Sequence, residues 1–233
     1  MNTFLLETII TFSLNRPLLS IGVEPFFLVK DLLDKQTFKG KDFSVALQPT
    51  DTLCTIRHSI NPREQILIAL LNDRIVLKLA YVESPSPSQT FELALEAQSQ
   101  YLIGLSDFLS LKWGVKGLAV FGNFMLLDRD INAARFISER IFKDKYLSPE
   151  PRGIEIKYNF QSEDCENFIR IFKAKFDGFA AGKLNPENIA IQRELFFKFT
   201  PAQYNLAHLT KILNSAKTYF SEESIKRLVN IGE

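Results

Sequence analysis

Two histidines, two cysteines and ten glycines in 233 residues leave little material for the common catalytic and metal-binding signatures. Cys54 and Cys165 are far apart and neither belongs to a CxxC pair. That spacing argues against a zinc ribbon, a dithiol redox motif and a disulfide framework, and it fits a reducing cytoplasm. Gly114, Gly117 and Gly122 fall inside a strand-like segment rather than at a strand-to-helix turn, so they do not form a phosphate-cradling loop. They are read as marking bulges or twist. Basic and acidic residues balance at 28 against 27, with no Lys or Arg run. A dedicated nucleic-acid binder carries a basic field, so nucleic acid is not an expected partner. No stretch approaches the ~20 apolar residues of a membrane span. The segment from Met1 to Leu14 lacks a basic start and a small-residue cleavage site, and Glu7 interrupts it, which does not fit a signal peptide.

What is present is a chain with 46% hydrophobic and 24% charged residues, enough for a sizeable core in an ordinary globular protein. Residues 3–14 alternate, with Phe4, Leu6, Thr8, Ile10, Phe12 and Leu14 on one face, as a half-buried strand requires. Pro25 to Asp34 reads as a short helix. Strands are predicted at 43–48, 52–60, 64–71 and 74–82, the last two joined by the turn pair Asn72 and Asp73. Together these form an antiparallel meander. Ser86, Pro87 and Gln89 make a capping pattern that opens a helix from Pro87 to about Lys112, with Phe91, Leu95, Leu102, Leu105 and Leu109 as its core stripe.

The segment from Gly114 to Leu127 is apolar on both alternating faces and reads as a long central strand covered on both sides. Asp128 or Asp130 is expected to cap a helix running to about Tyr146. A strand follows at 154–160, then a helix capped by Ser162 and carrying Phe168, Phe172, Phe176 and Phe179. Ile189 to Phe199 reads as another long strand. Thr200, Pro201 and Gln203 repeat the capping pattern ahead of a helix ending near Phe220, and Ser221 opens a short terminal helix. The fold class is therefore α+β: a mainly antiparallel sheet with helices packed on one side. The preferred division is into subdomains 1–127 and 128–233. The strand at 114–127 is placed to pair with both.

Few residues stand out as chemical candidates. Cys54 and His58 share one strand face but lie ~13 Å apart along it, too far for a direct dyad. They read as a buried Cys beside an interfacial His. Cys165 falls in the first turn of a predicted helix, where Glu163, Asp164 and Glu166 oppose a thiolate. His208 has no second ligand at i+4 and reads as a packing residue. Asp128 and Asp130 follow the long strand as paired acids able to bind a metal or share a proton, although helix capping accounts for both more simply. Arg193 sits on an apolar face between Ile191 and Leu195, where an unpaired guanidinium is costly. It should have a carboxylate partner, reach solvent or line a polar pocket. These residues imply no cofactor and no metal. The 21 Phe recur at core spacings, and the pairs Phe26-Phe27 and Phe196-Phe197 present at least one ring to whatever covers the second face.

Several segments carry a resemblance in layout. They are the opening strand Leu5-Leu6-Glu7-Thr8-Ile9-Ile10-Thr11-Phe12, the hairpin Asn72-Asp73-Arg74-Ile75-Val76-Leu77, the strand Ile189 to Phe199, the helix with Leu206-Ala207-His208, and the Phe220-Ser221 junction. Together they resemble a sporadically distributed, uncharacterised bacterial family of similar length. Trp113-Gly114-Val115-Lys116-Gly117 departs from that family's pattern, which has an Arg-rich strand followed by Tyr and Asn. The resemblance implies a fold and a patchy distribution linked to mobile elements, with no catalytic residue to carry over. The leading expectation is a cytoplasmic, non-catalytic protein-interaction or regulatory module. It would act through a protein partner or as a homodimer, in a setting such as bacterial defence or a toxin–antitoxin system. The alternatives are a small-ligand or nucleotide sensor, and a hydrolase or transferase using Asp128, Asp130 and Arg193.

Overall fold

The computed structural model describes residues 2–21, 24–47, 52–81, 90–110, 113–127, 136–137, 155–162, 164–174, 188–200 and 204–229. Its strands are β1 (Asn2–Leu14), β2 (Ser44–Leu47), β3 (Thr52–Asn61), β4 (Glu64–Leu71), β5 (Arg74–Tyr81), β6 (Val115–Leu127), β7 (Glu155–Gln161), β8 (Glu166–Ala174) and β9 (Asn188–Lys198). The helices are α1 (Pro25–Leu33), α2 (Phe91–Ser110), α3 (Leu206–Tyr219) and α4 (Glu222–Arg227). All nine strands form one antiparallel sheet in the order β2-β3-β4-β5-β1-β6-β9-β8-β7. The long strand β6 pairs with β1 on one side and β9 on the other, so strands from both halves of the chain share one sheet. The fold is α+β, with the helices packed against the sheet. Among the described residues no helix is long and apolar enough to cross a membrane.

One sheet face is closed by helices. Ile10, Phe12, Leu118, Val120, Ile191 and Leu195 are fully buried there, in one core with Leu95, Leu102, Leu105 and Leu109 of α2. The predicted stripe of α2 is thus its core face. Gln98, fully buried on the same helix, donates from Nε2 to the carbonyls of Thr8 and Leu77 at 3.3 and 3.4 Å, tying α2 to β1 and β5. Phe220 stacks on Phe91, with centroids 4.2 Å apart, and lies 6.0 Å from Phe124. This joins the end of α3 to α2 and β6. Gly122 makes the room: a Cβ there would stand 2.6 Å from the Phe124 ring and 2.8 Å from the Phe220 ring. Gly117 does the same for Phe196, at 2.8 Å. The two strand glycines therefore seat aromatic rings, while Gly114, at φ +65°, turns the chain into β6.

Two sequence expectations change in the strands. The alternation of β1 holds from Thr8 to Leu14 but slips at Leu6, where a bulge sets Leu5 opposite Phe124 and Glu7 opposite Asn123. An extra residue on one strand inverts the faces beyond it. Leu5, at 1% exposure, replaces Phe4 and Leu6 on the helix-covered side. The helix expected after Ser162 is strand β8, with Asn167, Ile169 and Ile171 buried at a period of two. Phe168 and Phe172 misled because residues four apart share a face in a strand as well as in a helix. Phe176 and Phe179 lie outside the described residues. Ser162 instead closes the β7–β8 hairpin, its N–H donating to the Cys165 carbonyl at 2.9 Å.

The helix starts also move. α2 begins at Phe91 with Thr90 as its cap, the Thr90 hydroxyl accepting from the Leu93 N–H at 3.3 Å. α3 is capped by Asn205, whose side chain accepts from the His208 N–H at 2.8 Å. Ser86, Pro87, Gln89, Pro201 and Gln203 lie outside the described residues. Ser221 caps α4 as expected, accepting from the Ser224 N–H at 3.2 Å.

Candidate functional site

Arg193 is 4% exposed on the helix-covered face of β9. Its Nη1 donates to the Tyr219 carbonyl at 2.6 Å and to Ser224 Oγ at 3.0 Å, and its Nε donates to Asn167 Oδ1 at 3.3 Å. The guanidinium also stands 4.9 Å from the centre of the Tyr219 ring. Among the described residues no carboxylate pairs with it. Burial accordingly pulls it down to about 10. Of the three environments the sequence allows, the structure supplies a neutral polar pocket that ties β8 and β9 to the α3–α4 corner. Asp128 and Asp130 lie outside the described residues.

The remaining candidates are dispersed. Cys54 is fully buried, which pushes its thiol up to about 11. His58 is half-buried, with Nδ1 2.8 Å from the Asp42 carbonyl and its ring 5.0 Å from Phe43. Cys165 sits buried in the β7–β8 turn rather than in a helix, its Sγ 3.2 Å from Ser162 Oγ. His208 packs edge-on against Phe199 at 5.5 Å. Among the described residues no group of three or more His, Cys, Asp and Glu is placed to hold a metal ion.

A different feature opens on the surface of the helix layer. α2 and α3 run antiparallel and are cross-linked at both ends of their contact. At one end Lys217 pairs with Glu92 at 3.1 Å. At the other the Tyr204 hydroxyl donates to Ser106 Oγ at 3.0 Å, and burial pushes Tyr204 up to about 12, so it remains a donor. The stretch of α2 between these clamps, Glu92 to Ser106, is about 21 Å long at 1.5 Å per residue. Between them lies a groove of about 540 Å³ floored by Leu95, Leu102, Leu209 and Leu213.

Its apolar character continues to the rim. Leu93, Ile103 and Leu206 are 47%, 42% and 46% exposed, large side chains that α2 and α3 leave uncovered. Glu92 and Glu96, one turn apart, line the α2 side, and Thr210, Asn214 and Lys217 the α3 side. Sequence reasoning missed the groove because it sought a single core stripe on each helix. The available signal was Leu93 and Ile103, apolar positions on α2 outside the stripe formed by Leu95, Leu102 and Leu109.

No family model, no curated protein and no solved structure matches the chain.

Proposed function

We propose that the protein is a cytoplasmic, non-catalytic interaction module whose α2–α3 groove receives an amphipathic helix of a partner protein. The observation that carries this reading is the uncovered apolar groove held between two clamps. Helix-in-groove recognition uses anchors at i, i+3, i+4 and i+7 against such a floor. A length of about 21 Å accommodates three to four helical turns, between roughly 11 and 14 residues. Lys217 neutralises Glu92, so the negative charge left on the α2 rim is that of Glu96, which favours a partner helix with Lys or Arg on the facing flank. The resemblance to a sporadic bacterial family directs the search for that partner to a defence or toxin–antitoxin system.

The test uses a fluorescein-labelled helical peptide with Leu at the anchor positions and Lys on one flank, compared with the same peptide carrying Glu in place of Lys. Fluorescence anisotropy should show the Lys peptide binding in the micromolar range and the Glu peptide at least about ten-fold more weakly. Ile103→Asp with Leu206→Asp should abolish binding, and both positions are exposed enough for the variant to keep its fold. Equal binding of both peptides, or unchanged binding to the variant, overturns the proposal. So does sedimentation showing that the groove is occupied by a second copy of the chain.

A further inference from the structure

The sheet face opposite the helices carries a second concavity, independent of the groove. It is about 340 Å³ and lies across β6, β9, β8 and β7. Strand register lays out its residues. Phe121 of β6, Glu194 of β9 and Phe168 of β8 stand side by side in one cross-strand row. Gln192, Arg170 and Lys157 form the row beside it. A carboxylate thus stands between two aromatic side chains in this row.

Glu194 is half-buried, and among the described residues it makes no hydrogen bond and no ion pair. Burial raises its carboxyl above the usual carboxylate range. A partly desolvated carboxylate without a protein donor is costly. Its neighbours are satisfied differently: Arg170 pairs with Glu155, donates from Nη1 to Gln192 Oε1 at 3.3 Å and lies 4.5 Å from the centre of the Phe172 ring. Lys157 also pairs with Glu155, at 3.2 Å. Glu194 is therefore the one carboxylate among the described lining residues, and it is left unpaired.

Spacing defines what fits over it. Adjacent strands lie ~4.8 Å apart, which puts the backbones bearing Phe121 and Phe168 roughly 9.6 Å apart with β9 between them. A planar ring in contact with both side chains at ~3.5 Å takes up about 7 Å, less than that backbone spacing. The volume falls at the lower end of small-ligand pockets. We infer that this concavity binds a planar heterocycle of the guanine type, its ring between Phe121 and Phe168 and its adjacent N–H donors on the Glu194 carboxylate. Guanine presents a ring N–H and an exocyclic amino group on one edge, both donors to a carboxylate. Adenine presents a bare ring nitrogen at the corresponding position, which repels it. Aromatic stacking with hydrogen bonding to the base edge is a general way of holding a single nucleobase.

The probe is guanosine monophosphate, titrated into the full chain by calorimetry with adenosine monophosphate as the comparison. One site per chain is expected, with the adenine nucleotide weaker by about ten-fold or more, the usual discrimination of a two-donor edge. Glu194→Gln should weaken guanosine monophosphate at least about ten-fold while circular dichroism and the melting temperature stay those of the parent. Phe168→Ala, at a side chain 36% exposed, should weaken both nucleotides by removing a stacking wall. The inference is overturned if guanosine monophosphate fails to bind at millimolar concentration, if the adenine nucleotide binds equally well, or if folded Glu194→Gln binds like the parent.

Discussion

Replacing Arg193 tests the account of a buried cation held only by neutral groups. Its pull from the ordinary 12.5 to about 10 corresponds to roughly 3 kcal/mol of dehydration not returned by its hydrogen bonds, at 1.36 kcal/mol per unit. Arg193→Ala leaves Asn167 Oδ1, the Tyr219 carbonyl and Ser224 Oγ without their donor and opens a cavity beside β9. Losses of this kind cost about 3–5 kcal/mol. Arg193→Met strands the same acceptors and, like Ala, removes the dehydration penalty, but it fills most of the volume, so it should cost no more than about 2 kcal/mol. For a chain of this size 1 kcal/mol moves the melting temperature by about 2–4 °C. The Ala variant should therefore melt about 10 °C below the parent and the Met variant less than half as far, by circular dichroism with urea titration alongside. An Ala variant within about 1 kcal/mol of the parent, or a Met variant less stable than Ala, refutes the reasoning.

Two further substitutions probe the core. The Cys54 thiol is raised by burial from 9.0 to about 11, so the stability it contributes is fully present below pH 9 and is lost as pH rises through 11. In reducing buffer the parent should lose on the order of 2–3 kcal/mol more than Cys54→Ala between those limits, and parallel pH profiles would count against it. Gly122→Ala places a methyl 2.6 Å from the Phe124 ring and 2.8 Å from the Phe220 ring, an overpacking cost of about 1–3 kcal/mol. Gly40→Ala, at φ +78° with nothing within 4 Å, should cost only the backbone strain of about 1–2 kcal/mol. If chemical denaturation gives Gly122→Ala the stability of the parent, the three-ring packing around Phe220 is misdescribed.

The sequence shows a strand most clearly where one face is buried and the other wet. The strands β3 to β5 and β9 were legible for that reason, down to the Asn72-Asp73 turn, whereas β6 was legible from an apolar run on both alternating faces. Legibility failed where two periods coincide or where the partner strand decides. Phe168 and Phe172 fit both a helix and a strand, and only pairing of β8 with β9, Asn167 opposite Leu195 and Ile169 opposite Arg193, resolves them. The bulge at Leu6 leaves no local mark, because Leu5 and Leu6 are equally apolar. What selects Leu5 for the interior is the space bounded by Phe91, Phe124 and Phe220, on elements distant in sequence.

The same limit divides the candidate sites. Arg193 could be flagged from sequence because a charge stood at an apolar phase, yet its acceptors lie 26 and 31 residues away and no spacing rule names them. Glu194, the next residue, gave no signal at all. It stands at the polar phase of β9, where a Glu is ordinary, and only its register against Phe121 and Phe168 makes it a carboxylate between rings. Neighbouring residues on one strand thus face different problems: Arg193 is dehydrated beneath the α3–α4 corner and bonded by the protein itself, whereas Glu194 is partly dehydrated on the opposite face and has no donor among the described residues. A charge whose partners are internal stabilises a fold whether or not anything binds. A charge left without them stays available to a ligand that brings donors, which is why binding is to be sought at Glu194 rather than at Arg193.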